Sequence, residues 1–338
     1  MTLNDDKPRV ILQEYKVTHN VPSAETIFDE EFNIDTFKKR FRAVVVRYNN
    51  LEMEIDLIGI HPFIANTFRR IMLSDVPTMA IDQVIIANNT SILRDEVLAH
   101  RIGLIPLKAD PRLFEFRPDG VTEENEQNTL AFELKIKCTS NAGTQKDSTL
   151  PEDIYKNSNV YSKHIKWLPI GSQESMYKEK DVGPVHNDIL INKLRPGQEI
   201  DLKMIAVKGV GKDHAKFSPV ATVLYRILPD IRLTREVSGE QAQRLQQCFA
   251  PGVIELRSNG PSPEQRVAYV KSARYDTCSR NVFRYDDLKD AVIMSRIKDH
   301  FIFNIESTGA LAPDVIFIEA IKILKQKATA LLEALENK

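Results

Sequence analysis

The chain has 338 residues, 42% of them hydrophobic, and a formal net charge of −1 at pH 7. That length can form two domains, or one domain with a large insertion, and the apolar content is enough for a substantial core. The 46 Lys and Arg are balanced by 47 Asp and Glu, so direct binding of nucleic acid is not expected to be the main role. Phosphate neutralisation normally requires an excess of positive charge.

Cysteine usage and the absence of long apolar runs indicate the compartment. Cys138, Cys248 and Cys278 are far apart, which favours a reducing environment over a disulfide framework. The first residues are acidic without an apolar run, so we expect no secretory signal. No stretch approaches the roughly 20 apolar residues that a membrane span needs. We therefore expect a soluble intracellular protein with no membrane contact.

Residues 1–40 are polar and show no periodic pattern. Phe28, Phe32 and Phe37 are scattered among charged residues. This composition predicts an irregular surface tail. The alternative is an arm that becomes ordered against a partner.

A hairpin and a helix are predicted between residues 41 and 77. Strands are expected at 43–46 and 53–57, and Asn49-Asn50 suits a tight turn because Asn tolerates a positive φ. Pro62 can open a helix over 63–74, since its missing N–H is harmless in the first turn. One side of this helix carries the apolar residues, flanked by two arginines: Ile64, Phe68, Ile71, Met72, Arg69 and Arg70.

Residues 78–223 have the pattern of a strand-rich unit. Strands are predicted at 81–87, 130–137 and 199–207. Polar runs at 119–128 and 139–149 are typical of surface loops.

Two glycines in this unit carry specific predictions. A short helix over 95–101 should be closed by Gly103. Pro196-Gly197 predicts a type II turn, in which Gly supplies the positive φ.

The last part, 224–338, is predicted to contain helices at 239–249 and 284–298, then a buried strand at 301–305. A final helix opens at Pro313 and runs to about residue 335. Its main apolar row follows the 3.5-residue period of a helix packed along another helix: Phe317, Ile321, Leu324, Ala328, Leu331 and Leu335. The 63–74 helix is much shorter than this row. We therefore expect part of the row to contact another chain.

Catalytic and metal-binding patterns are missing from the sequence. It contains no CxxC and no HExxH, and residues 207–212 lack the first glycine and the hydroxyl residue of a phosphate loop. Asp286-Asp287 is interpreted as the acidic start of a helix rather than as a metal site. His100 and His214 have no obvious acidic partner or nucleophile nearby. We predict no catalytic, cofactor-binding or metal-binding residues.

Two long blocks, residues 65–82 and 88–107, carry a resemblance to a known family. They include Ala65-Asn66-Thr67-Phe68-Arg69-Arg70-Ile71-Met72-Leu73-Ser74-Asp75 and Leu98-Ala99-His100-Arg101-Ile102-Gly103-Leu104-Ile105-Pro106-Leu107. These blocks are similar to the signature of the alpha/D family of RNA polymerase subunits. Residues 214–220 and 301–309 also resemble its eukaryotic members.

The resemblance implies an α+β fold and a non-catalytic scaffold role. An alpha-type dimerisation domain, 41–77 and 224–338, would be split by an inserted domain, 78–223. A smaller alpha-like subunit would pair with it through helices, and the 63–74 arginines would lie towards the second-largest subunit. Nucleic acid would be contacted only indirectly, and the location would be the nucleus, including the nucleolus.

Further resemblance favours the form common to RNA polymerases I and III. The inserted domain offers only Cys138, so it lacks the cysteine cluster of the polymerase II counterpart. Residues 240–290 occupy the place of a ferredoxin-like module of some archaeal relatives, but Cys248 and Cys278 are too few to hold a cluster. A polymerase II or archaeal-type subunit is the alternative. An enzyme acting on a nucleotide or sugar, and a free-standing nucleic-acid-binding protein, are the other function classes.

Overall fold

The computed structural model describes residues 7–20, 33–118, 124–141, 154–258 and 266–336. Its helices are α1 Ile34–Arg40, α2 Pro62–Ser74, α3 Asp95–Gly103, α4 Gln173–Met176, α5 Gly239–Gln247 and α6 Pro313–Glu336. Its strands are β1 Arg9–Leu12, β2 Val17–His19, β3 Arg42–Tyr48, β4 Glu52–Ile58, β5 Pro77–Asn89, β6 Leu107–Lys108, β7 Thr129–Lys137, β8 Thr139–Ser140, β9 Tyr155–Lys156, β10 Asn159–Tyr161, β11 Lys166–Leu168, β12 Gly183–Pro184, β13 Leu190–Lys193, β14 Glu199–Val210, β15 Val220–Leu233, β16 Ile254–Ser258, β17 Arg266–Val270 and β18 Val292–Ser307.

The fold is α+β, which confirms the predicted class. Two compact units are present, and both are discontinuous in sequence. The first unit contains Met1–Arg47, Glu54–Asn66 and Leu224–Asn304; the second contains Tyr48–Met53, Thr67–Val223 and Ile305–Lys338. The predicted domain limits follow a different division, since they group the final helix with residues 224–304, and they remain a prediction.

The first unit is built around an antiparallel sheet. Its strand order is β2-β1-β18-β4-β3, and β15 also pairs with β18. β18 supplies large buried side chains, among them Phe301 and Phe303 at 0% exposure. A separate apolar cluster lies beside α5 and the β16–β17 hairpin and includes Val237, Leu245 and Val253.

The prediction of an irregular tail over residues 1–40 is wrong for the described part. β1 pairs with β18, with Arg9 opposite Ile297, and α1 is a regular helix. Arg9 is 1% exposed, and its Nε donates to Asp230 Oδ2 at 2.9 Å. Local composition could not reveal this, because the partner is far away in the sequence. Residues 1–6 and 21–32, with Phe28 and Phe32, lie outside the described residues.

The predicted strands at 43–46 and 53–57 are confirmed, but the turn between them is of another kind. The Asn49 carboxamide accepts hydrogen bonds from the backbone N–H of Leu51 and Glu52, at 3.0 and 2.8 Å. Neither Asn49 nor Asn50 has a positive φ. The asparagine acts through its side chain, which mimics a backbone turn.

The helix predicted over 284–298 is wrong. Residues 292–298 belong to β18, a 16-residue strand, and only short 3₁₀ turns precede it. Pairing with strands distant in sequence outweighs the local helical pattern. The strand predicted at 301–305 is confirmed as part of β18.

The second unit contains a four-stranded sheet in the order β11-β7-β14-β5. The predicted strands at 81–87, 130–137 and 199–207 are confirmed within β5, β7 and β14. The core on this sheet includes Leu130, Phe132 and Met204, and α3 contributes Leu98 and Ile102.

Turn predictions in the second unit had mixed outcomes. Gly197 has φ +88°, and Gln198 N–H donates to Arg195 O at 2.9 Å, which confirms the predicted turn. Gly103 is the last residue of α3, which confirms the predicted end of the helix, but it has no positive φ and Leu104 caps the helix in a right-handed conformation. Thr139–Ser140 form a strand rather than a loop. Residues 119–123 and 142–153 of the predicted loops lie outside the described residues.

The helices predicted at 63–74, 239–249 and from Pro313 are confirmed as α2, α5 and α6. Within the described ranges, no helix is both long enough and apolar enough to cross a bilayer.

Candidate partner interface

Helix α6 is covered by its own chain only near its beginning. Ile316 and Ala320 are 0% exposed and Phe317 is 9% exposed. Every residue from Lys325 to Glu336 is exposed. The apolar row therefore starts in the interior of the second unit and continues along a surface that this chain does not cover.

The uncovered part of the row carries large aliphatic side chains. Leu331, Leu332 and Leu335 are 68%, 60% and 69% exposed, and Ile318 and Ile321 are 49% and 43% exposed. We name this surface the α6 ridge, consisting of Ile318, Ile321, Leu324, Ala328, Leu331, Leu332 and Leu335. Contiguous exposed apolar surface of this kind marks a protein interaction site or an aggregation hazard.

Contacts within the second unit fix the direction of α6. Phe68 of α2 meets Phe317 edge to face, with ring centroids 5.6 Å apart. Lys327 Nζ lies 3.1 Å from Asp75 Oδ2 at the end of α2. At the beginning of α6, the Tyr48 hydroxyl donates to Asp314 Oδ1 at 3.0 Å, and this hydrogen bond raises the pKa of Tyr48. The ridge is thus presented by a helix that is already held in place.

The interface residues predicted on α2 differ in their exposure. Ile71 and Met72 are 4% and 0% exposed, so their side chains belong to this chain's interior and are not available to a partner. Helical periodicity identifies the apolar side of a helix but does not tell which chain covers it. Ile64, Phe68 and Arg69 are half-buried, and Arg70 is exposed.

Two members of the ridge were not predicted from the sequence. Ile318 and Leu332 lie in a second row with Ile321, Lys325 and Ala328, again at spacings of three and four residues. Lys325 interrupts this row, so a count of apolar positions does not detect it. Their exposure in the structure brings them into the ridge.

His100 and His214, which the sequence left unassigned, line one surface pocket of about 190 Å³ in the second unit. Asp82 lines the same pocket. Its carboxylate is bound by Lys216 Nζ at 2.7 Å. His214 Nδ1 accepts the backbone N–H of Lys216 at 3.1 Å and caps a short 3₁₀ helix. These contacts give His214 and Asp82 structural roles.

Cysteine and metal chemistry find no support in the described part of the chain. No three His, Cys, Asp or Glu side chains there are grouped in a way that could hold a metal ion. Burial raises the pKa of the Cys138, Cys248 and Cys278 thiols, which disfavours the reactive thiolate.

A buried charge cluster lies within the first unit. The Arg274 guanidinium donates to both oxygens of Asp56, at 2.9 and 2.7 Å, and its Nε donates to Glu54 at 2.7 Å. His300 Nε2 lies 3.0 Å from Asp56 Oδ2. Burial alone would raise the pKa of Asp56, but the hydrogen bonds from Arg274 and His300 outweigh it and lower that pKa. The cluster ties β4 and β18 to the 270s segment.

Comparison with known proteins identifies the family. The family model described as "RNA polymerase Rpb3/Rpb11 dimerisation domain" matches residues 54–328. The chain belongs to the Rpb3/Rpb11 dimerisation-domain family. The match includes residues of both compact units and most of α6.

Relatives within the Rpb3/Rpb11 family differ in their degree of similarity. A protein of Mus musculus named "DNA-directed RNA polymerases I and III subunit RPAC1" is 50% identical over 334 residues, 98% of this chain and 96% of the relative. The Saccharomyces cerevisiae protein of the same name is 45% identical over 303 residues, 89% of each chain. "DNA-directed RNA polymerase II subunit rpb3" of Dictyostelium discoideum is 34% identical over 274 residues, 79% of this chain and 85% of the relative.

Proposed function

We propose that this chain is a non-catalytic assembly subunit common to DNA-directed RNA polymerases I and III. Its identity to relatives named for polymerases I and III is 41–50%, against 34–35% for relatives whose names include polymerase II. That difference favours the shared subunit over the alternatives, a polymerase II or archaeal-type subunit.

The observation that carries the proposal is the α6 ridge. One ordered helix exposes Leu331, Leu332 and Leu335 to water. A partner that covers this apolar surface would be stabilised by removing it from water. We propose that a helix of the smaller alpha-like subunit covers the ridge and forms a heterodimer. Each leucine side chain removed from water contributes about 1.5–3 kcal/mol.

The heterodimer would then be the platform on which the large subunits assemble. The exposed Arg70 on α2 is proposed to face the second-largest subunit. Within such a complex the chain would support synthesis of ribosomal, transfer and other small RNAs, in the nucleus and nucleolus. It would contact nucleic acid only through the assembled polymerase.

Co-purification of the tagged chain with the smaller alpha-like subunit tests this proposal. Leu331→Asp should abolish the heterodimer, because the contact would bury a charge without a partner. Ile92→Asp is the matched control: Ile92 is 81% exposed in the second unit and lies outside the ridge, so this variant should assemble normally. A Leu331→Asp chain that assembles in full yield would refute the proposed interface.

The choice of polymerase has its own measurement. Native complexes purified through the tagged chain should contain, by mass spectrometry, the largest subunits of polymerases I and III. Recovery of the largest polymerase II subunit in their place would refute the assignment to polymerases I and III while leaving the ridge intact.

A further inference from the structure

Strand β3 forms one edge of the sheet in the first unit. Among the described residues its only neighbour in the strand order is β4. One of its two backbone edges therefore presents N–H and C=O groups without ladder partners. Such an edge is a template for another strand.

The side chains of β3 are also uncovered. All seven residues from Arg42 to Tyr48 are exposed. Val44, Val45 and Val46 are 48%, 54% and 49% exposed, and neighbouring residues of a strand point to opposite faces. Apolar surface is therefore available on both faces of this edge strand.

Positive charge surrounds these valines. Residues 36–51 contain no Asp or Glu, and they contain Lys38, Lys39, Arg40, Arg42 and Arg47. Within the described part of the chain, the first four of these make no ion pair. A chain with net charge −1 thus concentrates cations beside one sheet edge.

The basic segment is fixed to the sheet. Phe37 of α1 stacks on Phe41 with centroids 5.4 Å apart. The Arg40 carbonyl oxygen packs so closely on Gly59 that a Cβ there would lie 2.5 Å from it. Gly59 N–H donates to Asp299 O at 2.8 Å, and this hydrogen bond joins the end of β4 to β18. The cations are presented from a defined position.

We propose that the β3 edge binds an extended, acidic segment of another polypeptide, which adds to the sheet as a further strand. The free backbone edge of β3 can form ladder hydrogen bonds with an extended strand. The cations favour Asp or Glu side chains in that strand, and the valines favour aliphatic side chains alternating with them. A second copy of this chain is disfavoured, because two edges of like charge repel each other. Single-stranded nucleic acid would meet the cations, but the valines offer its bases no stacking platform.

Fluorescence anisotropy with the full chain tests the binding. The probe is a fluorescein-labelled peptide of alternating valine and glutamate. We expect it to bind, and Lys39→Glu/Arg42→Glu should weaken it roughly tenfold or more, about 1.4 kcal/mol. The matched control, Lys16→Glu/Arg266→Glu, makes the same charge change at exposed residues of the same unit. Neither residue forms an ion pair with another described residue, and the control should bind like the wild type.

Hydrogen exchange locates the peptide. Bound peptide should slow exchange of backbone amides in residues 42–48, because a strand added there occupies their free N–H groups. Protection elsewhere would overturn the proposal, as would no binding or equal loss in the control variant. Equal binding of a valine–lysine peptide, or tighter binding of single-stranded DNA, would also overturn it.

Discussion

Phe68 and Phe317 pack edge to face, with ring centroids 5.6 Å apart, in the part of α6 that lies in the interior of the second unit. On either side of Phe317, α6 buries Ile316 and Ala320. Farther along, the helix exposes Leu331 and Leu335. One continuous apolar row therefore serves two purposes: its beginning stabilises this chain, and its end is free for another.

This division predicts that two truncations on the same helix change the free energy of unfolding by very different amounts. Phe317→Ala should lower the free energy of unfolding by about 3–5 kcal/mol, since it opens a cavity in the core. Leu331→Ala should change it by no more than about 0.5 kcal/mol, because Leu331 is 68% exposed. Urea unfolding followed by the fluorescence of Trp167, the single tryptophan and a residue of the second unit, measures both.

The partner provides the complementary measurement. Leu331→Ala should weaken binding of the smaller alpha-like subunit despite its normal stability. If Leu331→Ala proved as destabilising as Phe317→Ala, the distal half of α6 would have to be covered by this chain, contrary to its exposure.

The sequence predicted the helix and the apolar row well, because a 24-residue helix with a regular period gives a strong local signal. The sequence could not tell at which residue of the row the packing against this chain ends. That depends on Phe68 of α2 and on Asp75, the residue after α2, and periodicity is the same for a residue in the core and one in an interface. For this reason periodicity predicts Ile71 and Met72 as interface residues, although the structure buries both.

Long-range pairing accounts for the remaining failures. Arg9 is buried only because Asp230 receives its guanidinium, and residues 292–298 form a strand only because other strands pair with β18. The Arg274 cluster also joins three distant segments, and no spacing in the sequence connects Glu54 with Arg274. Each feature is decided by tertiary contacts that local composition does not contain.

Gly59→Ala should destabilise the corner that holds the basic segment. Gly59 has φ +77°, which costs an L-residue about 1–2 kcal/mol, and the new Cβ would also collide with the Arg40 carbonyl. We expect faster proteolysis or hydrogen exchange in α1. Gly197→Ala is the control, since Gly197 has φ +88° with open space around it, and it should show the backbone cost alone. Equal exchange of α1 in both variants would contradict a role for the Gly59–Arg40 contact.

Arg70→Glu should separate assembly steps. Arg70 is exposed and makes no ion pair among the described residues, so its reversal should alter stability by no more than about 0.5 kcal/mol. The heterodimer should form in normal yield, while recruitment of the second-largest subunit weakens. Sequential pull-downs measure both steps. Loss of the heterodimer would show that Arg70 contacts the smaller subunit instead, and normal recruitment would remove its proposed role.

Asp56→Asn should destabilise the first unit in a pH-dependent way. The pKa of Asp56 is lower in the folded chain than its ordinary value near 3.9, so its charge stabilises the fold above that value. This contribution is lost as the pH falls through the lowered folded pKa. Near neutral pH, removing the charge leaves Arg274 with Glu54 as its remaining carboxylate partner among the described residues, at a cost of about 1–3 kcal/mol. Hydrogen exchange in β4 and β18 should be faster in the variant at pH 7, and the difference from the wild type should shrink in acid. A difference that persists unchanged below the folded pKa would mean that the carboxylate charge is not what the cluster depends on.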